Sequence, residues 1–385
     1  MNIGVIKETH PHEQRVALIP MHAAQLQKQG FKVVIEKGAG FQAGYPDHLY
    51  EERGITLVDN AQSVLKEADI WCAVRAGAAL HEANQTQQHL KDGAHVIGLL
   101  EPYSPDERLT LFEDKKITAL AMELIPRTTR AQSMDVLSSM ANLAGYKAAI
   151  LGAQHSGKMF PMMMTAAGTI VPAKVFILGV GVAGLQAIAT AKRLGAVVSA
   201  YDVRAEVKEQ VESLGAKFVV LDLESASGEG GYAKAMDQAY YDKQRTLLTD
   251  VIKEMDVIIT TANIPGKKAP ILVTKAMVEA MPKGSVVIDL AAERGGNCEL
   301  TQPGTTTDHQ GVKIVGVENV ASTLAFNAST LYSKNMLTFI ENYLKKTDEG
   351  FQVQRDDDIV QGAMLTDQGT FVHPQATAWV KGETA

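Results

Sequence analysis

Three glycines set the first chemical possibility in this chain. Gly179, Gly181 and Gly184 follow the apolar run Val175–Leu178 in a G-x-G-x-x-G spacing, ahead of a helical pattern through Leu185, Ile188, Ala189 and Leu194. The pattern stops at Gly195, a second apolar run covers Val197–Tyr201, and Asp202 closes it. Strand, glycine turn, helix, strand and acid, in that order, predict a dinucleotide site, the alternative being a glycine-rich turn of an α/β protein that holds no ligand. The first glycine permits a tight turn, the second lets backbone approach a pyrophosphate, and the third lets helix and strand pack closely. The helix start offers free N–H groups and the positive end of its dipole to the phosphates. Asp202 falls roughly 20 residues on, where a carboxylate accepts from a ribose 2′-OH and repels a 2′-phosphate. NAD is therefore expected over NADP. Arg204 complicates this, since a nearby arginine can serve a 2′-phosphate, but Asp202 at the strand end should outweigh it.

A second group of reactive side chains runs from Arg127 through Gln132, Asp135 and Ser138. The pattern after Arg130 predicts a long helix with Gln132, Asp135 and Ser139 on one face and Ser138 beside them. Met134, Leu137 and Met140 form the opposite, apolar face. That spacing fits a ligand-facing surface and equally an N-capped helix with a solvated face. A third segment, Asp222–Gln244, opens with small, polar and glycine residues where a short strand-to-helix link is usual. Tyr232 and Met236 on it have no obvious core to join, so it reads as a lid that folds over bound nucleotide, or else as a solvated excursion.

The elements that must position these groups alternate. Apolar runs at Ile3–Ile6, Phe31–Ile35, Ile55–Val58, Ile70–Val74, His95–Leu100 and Ile117–Met122 are separated by helical or polar stretches. Strand–helix alternation predicts a doubly wound parallel sheet, here without a glycine fingerprint. After the glycine turn, further runs at Lys217–Val220, Val257–Thr260, Ser285–Leu290 and Lys313–Val315 bring the second sheet to six strands. A helix after Gly316 should return to the first domain, and Asp367-Gln-Gly369 within Ile359–Val372 predicts a hairpin. The expected fold is α/β, with two Rossmann-like doubly wound domains, the second binding the dinucleotide. Residues 1–144 plus 321–385 would form the first, and 145–320 the second.

The 385 residues exceed one ordinary core and fit two domains. A net charge of −7 with no basic block argues against a nucleic-acid partner. Cys72 and Cys298 lack zinc-ligand spacing and read as reduced thiols of a cytosolic protein. The start, MNIGVIKETH, reads as a strand and not a signal peptide. No apolar run reaches a membrane span; Met162–Ala167 and Thr169–Val171 are short and broken by glycine and proline.

Several stretches carry a resemblance that covers essentially the whole chain. They include Ala121-Met-Glu-Leu-Ile-Pro-Arg127, Arg130-Ala-Gln-Ser-Met-Asp135, Asn142-Leu-Ala-Gly-Tyr146 and Pro161-Met-Met-Met-Thr-Ala-Ala-Gly168. Gly179–Gly195, Tyr201-Asp-Val-Arg204, Gly230-Gly-Tyr-Ala-Lys234, Ile264-Pro-Gly266 and Gly295-Gly-Asn297 complete them. The chain resembles the soluble NAD(H)-binding component of the proton-translocating NAD(P) transhydrogenases, within the alanine dehydrogenase/transhydrogenase superfamily. The resemblance implies that Arg127, Gln132, Asp135 and Ser138 surround the nicotinamide, with an Arg127–Asp135 ion pair bracing the site. It assigns to cofactor binding Thr128, Thr129, Gly179, Gly181, Val182, Ala183, Gly184, Asp202, Val203, Arg204, Gly231, Tyr232, Ala262 and Ile264. NADP(H) would be held by a partner subunit, and a membrane-spanning subunit would carry the protons. The chain itself would be a homodimer on the cytoplasmic side, attached to the inner membrane through those partners and nearly inactive without them.

Alanine dehydrogenases share this fold and are the alternative. They bind an amino acid with an arginine near the first strand, a lysine after a later strand and a catalytic histidine. Arg15 matches the first, Arg75 stands where the lysine belongs, and Gly98-Leu-Leu-Glu101-Pro holds no histidine. Oxidative deamination needs a proton acceptor there. Hydride transfer between nicotinamides does not; it needs orientation and exclusion of water.

Overall fold

The structure, a computed structural model, describes residues 1–76, 87–103, 108–221, 238–263, 266–348 and 350–374. The chain forms two compact units, Met1–Met140 with Ser322–Ala385, and Ala141–Ala321.

The first unit holds an eight-stranded sheet. Its strands are β1 (Asn2–Val5), β2 (Lys32–Glu36), β3 (Thr56–Val58), β4 (Ile70–Cys72), β5 (His95–Gly98), β6 (Thr118–Ala121), β18 (Met364–Asp367) and β19 (Thr370–Phe371). The order is β19-β18-β6-β5-β4-β1-β2-β3. β1 to β6 run parallel in the doubly wound order, and β18 joins β6 antiparallel. β4 and β6 are buried along their whole length, as strands covered on both faces must be. The helix Ala325–Tyr343 closes one side. Tyr332, Met336, Phe339, Ile340 and Tyr343 recur at helical spacing and are fully buried in the core. A short antiparallel pair, β16 (Leu344–Thr347) with β17 (Gly350–Val353), follows that helix. The predicted tail hairpin forms at Gln368-Gly369, both with positive φ, but the run before it begins as a helix, Asp358–Ala363, capped by Asp357.

The second unit has β9 (Lys174–Leu178), β10 (Val197–Tyr201), β11 (Lys217–Phe218), β12 (Val257–Thr260), β13 (Val286–Asp289), β14 (Thr306–His309) and β15 (Val312–Gly316). Their order is β11-β10-β9-β12-β13-β15-β14. The six expected strands are parallel; β14 is an antiparallel edge strand that its polar sequence, TTDH, did not announce. The apolar segment near Met162 is a separate hairpin, β7 (Met163–Thr165) with β8 (Gly168–Ile170), exposed throughout. Among the described residues no helix is long and apolar enough to cross a membrane.

Candidate nucleotide site

The order of the second sheet reverses between β9 and β12, where open α/β sheets bind ligands beyond their carboxyl ends. The glycine turn lies there. Gly179 has φ +95°, and a Cβ on it would stand 2.7 Å from Thr261 Oγ1. A Cβ on Gly184 would meet the Gly179 carbonyl oxygen at 2.0 Å. Packing alone therefore requires both glycines. Gly181 differs: a Cβ there would meet nothing within 4 Å. The space its missing side chain leaves is open, as close approach of a phosphate requires.

The helix Val182–Arg193 starts at Gly181 with no side-chain cap and no acidic residue in its first turn. Val182 and Ala183 thus begin a helix whose N-terminal N–H groups no cap competes for, which suits a pyrophosphate. A second helix, Val136–His155, reaches this point. A Cβ on its Gly145 would lie 2.0 Å from the Ala183 carbonyl oxygen, so glycine is the residue that lets the two helices touch.

Asp202, at the end of β10, is 9% exposed. Its carboxylate accepts from Val180 N–H at 2.6 Å and from Arg204 through N–H, Nε and Nη2, each at 2.9 Å. Arg204 Nη2 also donates to the Val180 carbonyl at 3.1 Å. The arginine is thus folded onto the acid, and a ribose diol would share the carboxylate with it. Val203 and Ala262 are half-buried and pack on the same apolar cluster as Tyr201. Tyr201 accepts from the buried Gln244 at 3.0 Å, so the end of the Asp222–Gln244 segment belongs to a helix, Gln238–Ile252. Gly231, Tyr232 and Ile264 lie outside the described residues, as does the expected lid Gly230–Met236.

In the first unit, the expected continuous helix after Arg130 is replaced by a 3-10 turn, Thr129–Met134, and the α-helix begins only at Val136. Asp135 is the reason. Its carboxylate accepts from Ser138 N–H at 2.9 Å and from Ser138 Oγ at 2.5 Å, and it caps the new helix. Ser139 Oγ donates to the Asp135 carbonyl at 3.0 Å. Gln132 thus lies on the 3-10 turn and Asp135 at its end, not on one continuous α-helix. Each Asp135 carboxylate oxygen thus accepts from Ser138. Arg127, Thr128, Thr129 and Gln132 are exposed, while Met134 is buried on the core as expected. Asn335 donates to the Ser133 carbonyl at 2.8 Å. Arg130 binds Asp357 at 2.6 Å and also pairs with Asp358, and its guanidinium holds the Asp357 carboxyl down to about 2.

Arg15 is buried and chelated by Glu13 at 2.7 and 2.6 Å, and Arg75 bonds Glu101 at 2.6 Å. No metal-ligand cluster occurs among the described residues. Spacing missed one buried group, Asn297, whose side chain reaches back to Ala262. Its sequence signal was the stretch Gly295-Gly-Asn297, named above only for its resemblance; both glycines have positive φ.

Residues 4–144 match the alanine dehydrogenase/PNT N-terminal domain, and residues 148–374 match the C-terminal domain of the same family. The chain belongs to the alanine dehydrogenase/PNT family. Within that family it is similar to an NAD(P) transhydrogenase subunit alpha chain of Rhodospirillum rubrum, 46% identical over 98% of this chain and 99% of that one. The crystal structure of transhydrogenase from Sinorhizobium meliloti superimposes with a TM-score of 0.86 at 45% identity, covering 97% of this chain and all of the other. Alanine dehydrogenase 1 of Staphylococcus aureus is more distant, 29% identical over 91% of this chain and 89% of that one. This alanine dehydrogenase/PNT chain thus lies nearer to transhydrogenase subunits than to these dehydrogenases.

Proposed function

We propose that this chain is the NAD(H)-binding subunit of a proton-translocating NAD(P)⁺ transhydrogenase. Hydride would pass between NADH on this chain and NADP⁺ held on a partner subunit, coupled to protons by a membrane subunit. The observation that carries the reading is the open Gly181 at an uncapped helix start, with Asp202 at the neighbouring strand end. The nicotinamide supplies the hydride chemistry when bound. The chain's own tasks are then to bind, to orient and to exclude water. Val182 and Ala183 would hold the pyrophosphate, and Asp202 the ribose. Gln132, Asp135 and Ser138 would orient the nicotinamide end. No acid–base pair is required, which agrees with the absence of a histidine in Gly98–Pro102. We place the chain as a homodimer on the cytoplasmic side of the inner membrane, held there by its partners.

Calorimetric titration tests the nucleotide assignment. NADH should bind and NADPH should bind little. Asp202→Ala should weaken NADH by about 1–3 kcal/mol, as expected when a buried hydrogen-bonded partner is lost. The same change removes the carboxylate that would repel a 2′-phosphate beside Arg204, so NADPH should gain. Equal binding of the two nucleotides by the wild type would remove the Asp202 argument. Turnover should appear only when the membrane and NADP(H)-binding subunits are added. Reduction of NAD⁺ with alanine by the chain alone would instead support the amino-acid dehydrogenase reading.

A further inference from the structure

Ala262 follows β12 and stands against the glycine turn; the Cβ that Gly179 lacks would lie 3.1 Å from its nitrogen. Its N–H and C=O are both taken by one side chain. Asn297 Oδ1 accepts from Ala262 N–H at 3.0 Å, and Asn297 Nδ2 donates to the Ala262 carbonyl at 2.8 Å. The second Nδ2 hydrogen goes to the Pro270 carbonyl at 2.8 Å. Every donor of the amide is used, and turning it over would face N–H to N–H and oxygen to two carbonyls, so its orientation is fixed. Asn297 is fully buried.

Its backbone is equally constrained. Asn297 N–H donates to Asp289 at 2.8 Å, and its carbonyl accepts from Leu272 and Val273 at 2.8 and 3.0 Å. Asp289, also fully buried, accepts further from Thr260, Ala291, Cys298 and Thr301. One side chain thus ties Ala262 and Pro270 to a rigid post at the end of β13. An apolar residue of the same size would fill the space but leave the Ala262 N–H and the two carbonyls without this partner.

We propose that Asn297 is a positioning residue for the dinucleotide, holding Ala262 as a preformed wall beside the glycine turn. The assignment rests on the nucleotide reading above. Asn297 acts through Ala262; it sets the fraction of molecules in which Ala262 is ready to receive the nucleotide. Asn297→Asp keeps size but aims oxygen at two carbonyls, and Asn297→Ser keeps one short donor.

Titration of NADH into folded protein, with thermal melts alongside, tests this. If the ready fraction falls to roughly a tenth, the NADH Kd should rise about tenfold in Asn297→Asp. In the complex reconstituted with its partner subunits, the KM for NADH should rise in parallel while kcat stays within about a factor of two. A folded variant that melts lower but binds NADH as the wild type does would overturn the proposal. Should neither variant fold, amide exchange of Ala262 in the wild type decides. Slow exchange already present without NADH supports the preformed clamp, and fast exchange that slows only on adding NADH overturns it. A wild type that binds no NADH would sink the nucleotide reading itself, a result separable from failure of the clamp.

Discussion

Glu123, just past β6, is a buried carboxylate with one oxygen occupied and one left over. Oε1 accepts from Leu100 and Glu101 N–H at 2.8 and 2.6 Å, while Oε2 is buried without a partner. Burial, opposed by those backbone bonds, pushes its carboxyl up from 4.5 to about 7. The folded protein therefore holds this proton more tightly than the unfolded chain does. The stability it lends is complete below about pH 4.5 and is lost as pH rises through 7. The loss is on the order of 3 kcal/mol. Glu123→Gln should flatten the decline in melting temperature between pH 5 and pH 8, and should melt above the wild type at pH 8. An unchanged profile would show that Glu123 stays charged. At this scale the glycine spacing and Asp202 were legible in the sequence. Asn297 was not, because its meaning lies in a contact with Ala262 that no local pattern encodes.

The glycine turn offers a sharper comparison between elements. Gly184→Ala would drive a methyl into the Gly179 carbonyl and should destabilise the second unit by about 1–3 kcal/mol or more. Gly181→Ala meets open space and, as a weaker N-cap, should cost less than about 1 kcal/mol. Yet Gly181→Ala should weaken NADH on the order of tenfold, equivalent to about 1.4 kcal/mol. Melting curves and titrations on both variants check this; a Gly181→Ala protein that binds normally would mean that no phosphate approaches there. Most parallel strands were readable because strands buried on both faces are continuous apolar runs. β14 escaped because an edge strand can be polar. The break at Asp135 escaped because helical spacing continues through it. Only the side chain's choice to cap Ser138 ends one helix and starts another.

At the level of the whole molecule, the β7–β8 hairpin is conspicuous. Met162, Met163, Met164, Ile170 and Val171 are exposed, Met164 by 75%. A lone two-stranded hairpin is marginal in water, and a patch of this kind marks a contact surface. The proposed homodimer supplies an occupant. Sedimentation should find a dimer, and Met164→Asp should shift it toward monomer; a variant as dimeric as the wild type would place the contact elsewhere. The division of the chain has a further consequence, for the order of synthesis. The first unit is begun first and finished last, because Ser322–Ala385 leaves the ribosome only after the whole of Ala141–Ala321. At about 5–20 residues per second that interval is roughly 10–40 s. Throughout it, β6 waits without β18, and the core waits for Tyr332, Phe339 and Tyr343. A strand that ends up fully buried, TALA, is then an open template for any other chain. The second unit, continuous in sequence, is complete by then. Newly made protein is thus most exposed to aggregation while its second unit is already whole and its oldest residues are still unfinished.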